Sequence, residues 1–240
     1  MRNKLIDAIL KYRMEINRTC PNLKLIDYFS FFLYFPKWYK NLNKNPLDIK
    51  LPWINYKGIS FLNKHVKQGM NVFEFGSGGS TKFWIGKGCK VFSVEHDKEW
   101  YNLVLKSFTE EEITKHKIFL KEPEQLDLIE YDFSDPDHYT SSSLKKFKNY
   151  ATVIDEFDNN FFSLILIDGR ARPSCIKHAI PKLKRGGYLI LDNSDREYYS
   201  SNIKIKKLLE PLVKAFDTIG PGTYTMMFWQ TTIWQRKTNN

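Results

Sequence analysis

The sequence contains few cysteines and no segment typical of secretion. Cys20, Cys89 and Cys175 are the three cysteines among 240 residues, and they form neither a CxxC pair nor a zinc-binding spacing. Scattered thiols of this kind are typical of proteins in the reducing cytosol. Because the N-terminal segment carries charges throughout and lacks the apolar core of a signal peptide, we predict a cytoplasmic protein.

Long apolar runs are also missing. The most apolar early stretch, residues 25–40 (LIDYFSFFLYFPKWYK), is interrupted by Asp27 and Pro36. It falls short of the roughly 20 apolar residues that a membrane-spanning helix needs. The stretch favours a helix packed on the main domain. Its mixture of aromatic residues and lysines also suits a partner surface or a peripheral membrane contact.

Basic residues exceed acidic ones, at 37 against 27, and the formal net charge is +10. Such a charge is compatible with nucleic acid, anionic lipid or an acidic substrate. The sequence has no RNA-recognition signature and no dense arginine tract, so we consider nucleic acid an unlikely partner. The sequence leaves open whether the chain forms a homo-oligomer.

Strand-like and helix-like segments alternate from about residue 51 onward. This alternation predicts an α/β protein with a doubly wound, mostly parallel sheet. We expect residues 1–50 to form a helical N-terminal extension of two helical pieces, and residues 51–240 to form the catalytic domain. The predicted strands cover residues 71–75, 90–97, 117–122, 162–169 and 188–194, followed by a closing pair within 215–236. Ser80 or Thr81 is the predicted N-cap of the helix after the first strand, and a helix over residues 174–187 is predicted to end at the Gly186–Gly187 pair.

The first predicted strand ends in an unusual glycine-rich turn, NVFEFGSGGSTKFW (71–84). Its spacing, Gly76-x-Gly78-x-x-Thr81, lacks the third Gly or Ala of the dinucleotide fingerprint. An acid beside the turn, Glu74, suits a ligand that carries an amino group. Glu95 ends the second strand roughly 20 residues later, where acids bind ribose hydroxyls. Together these features indicate an adenosine ligand without phosphates, such as S-adenosylmethionine.

Four segments resemble the class I S-adenosylmethionine-dependent methyltransferases: VFEFGSGGST, VFSVEHD, LILIDG and GGYLILDN. The resemblance extends from about residue 53 to the C-terminus. It implies a Rossmann-like methyltransferase fold with seven strands, in which Gly76 and Gly78 lie under the methionine part and Glu122 lies near the adenine. The cofactor-binding residues that it implies are Glu74, Gly76, Ser77, Gly78, Ser80, Thr81, Glu95, His96 and Glu122.

A second polar cluster follows the fourth and fifth strands. Asp168 ends the fourth strand, and Asp192 and Asn193 end the fifth. Carboxylate and amide oxygens suit Mg²⁺ or another divalent cation. The pattern resembles the metal triad of the cation-dependent, catechol-type O-methyltransferases. Alternatively, Asp192 is a structural acid at a helix cap, with Asp168 or Asp195 as the general base.

The loop after the fourth strand, DGRARPS, departs from the catechol-type pattern because it has no lysine. Arg170 and Arg172 stand there instead, and Arg196 follows the fifth strand. Arginine is a poor base but binds carboxylates and phosphates well. We therefore predict O-methylation of a small or glycan-like, anionic acceptor. The predicted catalytic residues are Asp168, Asp192, Arg170 and Arg172, with His96 and His178 as further candidates for the base.

Two other functions fit the same residues. One is a polyamine-synthase-like transfer of another group, and the other is a nucleotide- or partner-binding protein that has lost turnover. Residues 127–150, which include Tyr131, His138 and Tyr139, are long for a connection and predict a lid or acceptor loop. The N-terminal extension is expected to complete the acceptor pocket or to pack on the domain.

Overall fold

The computed structural model describes residues 4–23, 25–125 and 132–238. Its strands are β1 (Asn71–Phe75), β2 (Lys90–Glu95), β3 (His116–Leu120), β4 (Phe162–Ile167), β5 (Leu183–Asp192), β6 (Leu212–Pro221) and β7 (Phe228–Arg236). They form one sheet in the order β3-β2-β1-β4-β5-β7-β6. The first five strands are parallel, and β7 runs antiparallel between β5 and β6. The predicted fold class is confirmed.

Helices cover both faces of this sheet. The N-terminal helices are α1 (Lys4–Thr19), α2 (Leu25–Phe32), α3 (Phe35–Asn41), α4 (Pro46–Ile49) and α5 (Tyr56–His65). Those between the strands are α6 (Gly79–Gly86), α7 (Lys98–Ser107), α8 (Glu110–Thr114), α9 (Lys148–Thr152), α10 (Arg172–Lys182) and α11 (Ile203–Leu209). In the described part of the chain, no helix combines the length and the apolar character needed to cross a membrane.

The central strands are apolar on both faces, as strands covered by helices on two sides must be. In β1, Val72 points into the core beneath α5 and α6, whereas Phe73 and Phe75 point into the core beneath α9 and α10. Glu74 is the exception, because it is a fully buried acid in this strand. Its position beside the glycine turn makes it part of the site described below.

The N-terminal extension forms four helices rather than the two helical pieces that the sequence predicts. Its side chains enter the same core as the sheet: the Tyr12 ring lies 4.8 Å from the ring of Phe228. The Trp38 indole nitrogen donates to the Thr225 carbonyl at 2.9 Å. The extension is thus tied to the β6–β7 end of the sheet by both apolar and polar contacts.

The predicted helix that ends in a Gly186–Gly187 pair is wrong, because α10 ends at Lys182 and both glycines lie within β5. Residues 183 and 188 of β5 pair with residues 162 and 164 of β4, so β5 bulges between them. Gly186 has a positive φ of 73°. A Cβ on Gly187 would meet the carbonyl oxygens of Lys184 and Ser163 at 2.9 Å. The glycines therefore permit the bulge and do not end a helix.

Candidate active site

The carboxyl ends of β1, β2 and β4 meet where the strand order reverses, which is the usual ligand position in such sheets. The backbone joins them there, since Gly76 N–H donates to the Val94 carbonyl and Asp168 N–H to the Phe75 carbonyl. A first cavity of about 500 Å³ opens at this edge. It is lined by Pro46, Trp53, Gly76, Ser77, Gly78, Gly79, Ser80, Glu95, His96, Asp97, Trp100, Asp168, Gly169, Arg170 and Arg172.

The glycine turn presents bare backbone to this cavity. Gly76 and Gly78 have φ values of 100° and 153°, which side-chain-bearing residues rarely adopt. The residue before the first turn of α6 is Gly78, so the sequence-based choice of Ser80 or Thr81 as N-cap is wrong. Thr81 instead lies in the first turn, where its hydroxyl accepts the Gly78 N–H at 2.9 Å.

Glu74 lies beneath the turn and not in the cavity wall. It is fully buried, its Oε1 accepts from the Thr81 hydroxyl, and its Oε2 accepts from the Trp84 indole at 3.2 Å. Burial raises its pKa to about 7, against the opposing effect of these hydrogen bonds. The geometry therefore gives Glu74 a different role from the predicted ligand contact. It holds the first turn of α6 against β1.

Glu95 joins the end of β2 to the glycine turn. Its Oε2 accepts from the Ser77 N–H and hydroxyl, both at 3.2 Å, and its Oε1 accepts from the His96 N–H at 2.7 Å. Burial would raise the Glu95 pKa, but hydrogen bonds from His96 and Asp97 outweigh it and hold that pKa below the usual value. A carboxylate therefore lines the cavity at neutral pH.

Side chains from the ends of β2 and β4 also meet across the cavity mouth. His96 Nδ1 lies 2.8 Å from Glu95 Oε1, and Arg170 Nε donates to His96 Nε2 at 3.2 Å. The contact of His96 Nδ1 with Glu95 is close but lacks hydrogen-bond geometry, so the Arg170–His96 hydrogen bond is the polar link here. The predicted residues Glu95, His96 and Arg170, which come from two different strand ends, are thus brought together.

Two tryptophans in the wall carried no recognisable signal in the sequence. The Trp100 indole nitrogen donates to the Ser77 carbonyl at 2.8 Å, and its ring lies against Gly78. A Cβ on Gly78 would meet the Trp100 ring at 3.3 Å. Trp53 comes from the segment that follows α4. Both positions depend on the packing of distant segments, and residue type alone does not reveal this.

A second cavity of about 450 Å³ adjoins the first, and Trp53 and Asp168 line both. Its wall combines three aspartates with two arginines. Arg18 reaches it from the last turn of α1, and Arg196 from the segment that follows β5. The lining residues are Arg18, Trp53, Asp168, Asp192, Asn193, Asp195, Arg196, Thr225, Met227, Phe228 and Trp229.

Arg172 clamps the ends of β4 and β5. Its guanidinium donates to the Gly169 carbonyl at 3.1 Å, to both the carbonyl and Oδ1 of Asp168 at 3.0 Å, and to the Asp192 carbonyl. The side chain is only 7% exposed. Because these donors are used within the chain, the geometry gives Arg172 a structural role in place of the predicted contact with a substrate anion.

Asp168 and Asp192 lie side by side, as predicted from the strand ends. Both carboxyls line the second cavity, and Arg172 donates to Asp168 Oδ1 and to the Asp192 carbonyl. Burial, together with the nearby Asp168 charge, raises the pKa of Asp192 well above its usual value. Burial raises the pKa of Asp168 to about 6, although the Arg172 charge opposes this. Asp168 is therefore the more readily ionised of the two carboxyls.

These donors do not fit the divalent cation that the sequence pattern implies. The Arg172 guanidinium already supplies the positive charge beside Asp168. Asp192 is 1% exposed, and its Oδ1 accepts from the Trp229 indole and the Thr231 hydroxyl, each at 2.8 Å. Asn193 lines the second cavity. Among the described residues, no three His, Cys, Asp or Glu side chains are grouped closely enough to hold a metal.

The remaining predicted residues lie around this centre. Glu122 is exposed after β3 and is not among the described residues that line the first cavity. His178 links Tyr139 to Asp155, at 3.2 and 2.6 Å, so it anchors the predicted acceptor loop to α10. Residues 126–131 of that region, Tyr131 included, lie outside the described residues.

Comparisons with known proteins identify the fold. No family model and no curated protein matches the sequence. Cofactor-bound Rv0187 from MTB is 14% identical with a TM-score of 0.51, over 81% of this chain and 87% of that one. TrmN from Thermus thermophilus is 11% identical with a TM-score of 0.50, over 74% of this chain. The match covers 47% of TrmN, about half of its length. The chain has the Rossmann-like methyltransferase fold.

Proposed function

We propose that this protein is an S-adenosylmethionine-dependent methyltransferase that methylates an oxygen of a small or glycan-like, anionic acceptor. The observation that carries the proposal is the junction of two cavities at the carboxyl ends of the strands. One is walled by glycine backbone and a carboxylate, the other by arginines and aspartates, and Asp168 lines both. Two ligands bound there would meet at Asp168.

The first cavity suits the cofactor on the chemistry of its wall. Its volume of about 500 Å³ lies in the usual range for cofactor-sized ligands. Gly76 and Gly78 allow close approach to backbone, and the Glu95 carboxylate accepts from hydroxyl groups. Ser77 makes a rotatable hydroxyl contact to Glu95, which a ribose hydroxyl can replace. When bound, S-adenosylmethionine supplies an electrophilic methyl group on a positively charged sulfur.

In the second cavity, the acceptor hydroxyl must lose a proton as it reacts. Asp168 is suited to accept it, because a pKa of about 6 leaves this carboxyl mostly ionised at neutral pH while keeping it basic enough to take a proton. Arg172 donates to Asp168 Oδ1 at 3.0 Å and so acts as a positioning residue.

The acceptor's negative charge is assigned to Arg18 and Arg196. Both line the second cavity. Arg196 supplies the guanidinium for paired hydrogen bonds to a carboxylate or phosphate. Arg18 already donates from Nε and Nη2 to Glu15, so it adds only its remaining N–H donors. Arg18 and Pro46 come from the N-terminal extension, so residues 1–50 contribute to the walls of both cavities. We therefore propose that the extension completes the acceptor site, and that residues 51–240 carry the cofactor site.

Calorimetric titration with S-adenosylhomocysteine tests the cofactor assignment. We expect the wild type to bind and Glu95→Ala to lose most of the affinity. Glu122→Ala is the matched control and should bind as the wild type does, because Glu122 lies outside the cavity wall. Circular dichroism of each variant establishes that the fold is intact. If the wild type fails to bind, the proposal falls and the protein is better regarded as a binding protein without turnover.

Transfer of labelled methyl groups to a panel of hydroxy acids and phosphorylated sugars tests the acceptor class. Arg196→Gln should raise KM for anionic acceptors and leave KM for neutral ones unchanged. An equal effect on both would contradict the assignment of Arg196.

One observation favours a second candidate. Three aspartates, Asp168, Asp192 and Asp195, line the second cavity. Acids of this kind suit an amine acceptor, as a polyamine-synthase-like transferase would require. Incubation with a polyamine and decarboxylated S-adenosylmethionine distinguishes the two, because only this alternative predicts transfer of an aminopropyl group.

A further inference from the structure

Helix α1 is apolar on its outer side as well as on its inner side. Ile6, Leu10 and Met14 are spaced by four residues and therefore lie in one stripe along the helix. They are 54%, 50% and 68% exposed, respectively. The residues that α1 buries against the domain lie on the other side of the helix: Ala8, Tyr12 and Ile16.

Cationic side chains flank this outer stripe. At 100° per residue, Lys4 and Lys11 fall on one side of the stripe and Arg13 on the other, and all three are exposed. Asp7 lies between the stripe and Lys11 and offsets one of these three charges, whereas Glu15 pairs with Arg18 at 2.7 Å. The outer face of α1 is therefore apolar along its centre and basic along its edges.

The helices next to α1 also expose apolar and basic residues. Tyr12 donates its hydroxyl to the Phe31 carbonyl at 2.6 Å, which holds α2 beside α1. Phe29 in α2 is 62% exposed and Leu33, just after it, is 79% exposed. On α3, Lys37 and Lys40 are exposed. We call the exposed residues of these three helices the N-terminal face.

We propose that the N-terminal face docks onto an anionic membrane surface. An apolar stripe edged by Lys and Arg is the pattern of helices that lie in the membrane interface. The net charge of +10 favours anionic headgroups. A second copy of this chain suits the N-terminal face less well, because a two-fold contact would bring the cations of α1 close to those of the other copy.

Docking would also place the second cavity beside the membrane. Arg18 follows Met14 by four residues, so it continues the outer stripe of α1, and it lines that cavity. The proposal does not depend on methyl transfer, since it rests on the exposed residues of α1 to α3.

Co-sedimentation of the full chain with lipid vesicles tests this inference. The vesicles are phosphatidylcholine with phosphatidylserine, or phosphatidylcholine alone, at low and high salt. We expect binding to the anionic vesicles that weakens in high salt. The double variant Leu10→Ser/Met14→Ser should reduce partitioning by about tenfold or more, and Lys11→Gln/Arg13→Gln by a similar factor. Leu103→Ser/Ile113→Ser removes equally exposed apolar residues from α7 and α8 and should bind as the wild type does.

The opposite outcomes would overturn the proposal. One is no binding of the wild type to anionic vesicles at low salt. Another is equal loss of binding in the α1 variant and in the α7/α8 control. A third is a dimer in light scattering that becomes a monomer in Leu10→Ser/Met14→Ser, without vesicle binding by either, which would identify the face as an interface between copies. Circular dichroism and the thermal midpoint of each variant exclude unfolding as the cause.

Discussion

Glu74 provides a direct test of how the glycine turn is supported. This carboxyl is fully buried beneath α6 and accepts hydrogen bonds from Thr81 and Trp84. Burial raises its pKa from 4.5 to about 7 in the folded protein. Replacing Glu74 by glutamine keeps the shape of the side chain and removes its titration. The variant therefore isolates the cost of ionising an acid at this position.

The size of the effect follows from proton linkage. The folded state holds the Glu74 proton up to about pH 7, whereas the unfolded carboxyl releases it near pH 4.5. The stability that this proton contributes is complete below the unfolded pKa and is lost as pH rises through the folded pKa. In total, the free energy of unfolding falls by about 3 kcal/mol. Between about pH 5 and about pH 8 the change amounts to about 2.5 kcal/mol.

Urea unfolding of the wild type and of Glu74→Gln at these two pH values measures this change in the free energy of unfolding. The free energy of unfolding of the wild type, relative to the variant, should fall by about 2.5 kcal/mol from the lower to the higher pH. The dependence on urea concentration should be the same for both proteins, since the same surface is exposed. A difference that does not change with pH would refute the reasoning, because it would mean that folded Glu74 is already ionised at pH 5.

The other predictions concern the junction of the two cavities. With an accepted substrate, kcat should fall as pH drops through about 6, where Asp168 gains its proton, and Asp168→Asn should lose transfer while still binding S-adenosylhomocysteine in calorimetry. Gly169→Ala should lower the free energy of unfolding in urea by about 1–3 kcal/mol, because its Cβ would overlap the Tyr150 hydroxyl. Tyr150→Phe should recover part of that loss. Arg172→Lys should lower the melting temperature in calorimetry, because lysine cannot reproduce the forked contacts to both strand ends.

A specific result would contradict each of these predictions. A pH–rate profile that is flat through pH 6 would contradict Asp168 as the base. Additive effects of Gly169→Ala and Tyr150→Phe would contradict their contact. An unchanged melting temperature for Arg172→Lys would show that the clamp adds little to stability.

Short-range patterns were sufficient to predict the sheet. The observed β1, Asn71–Phe75, has the predicted bounds, and the predicted second to fifth strands all overlap observed ones. Parallel strands place their carboxyl ends at one edge, so the proximity of Asp168 to Asp192 also followed from the order of segments. The predicted helix end at Gly186 and Gly187 was wrong, because glycines that permit a β-bulge cannot be told in sequence from glycines that end a helix.

The roles of individual side chains depended on contacts between distant parts of the chain. Glu74 alternates with Phe73 and Phe75 along β1, but only the packing of α6 shows that its carboxyl is held beneath the turn and away from the cavity. Arg172 and Arg170 carry the same charge. The Arg172 guanidinium donates to backbone carbonyls, whereas Arg170 lies at the cavity mouth and donates to His96.

The sequence by itself thus determined which segments are buried strands, where glycine leaves the backbone uncovered, and which polar residues end each strand. These depend on residue type and on periods of a few residues. Only the tertiary structure decided which polar groups line the cavities and which bind each other. It also brought Arg18 into the wall of the second cavity and Trp53 into the walls of both cavities. Burial and hydrogen-bond partners are set by segments far apart in the chain, which no local pattern records.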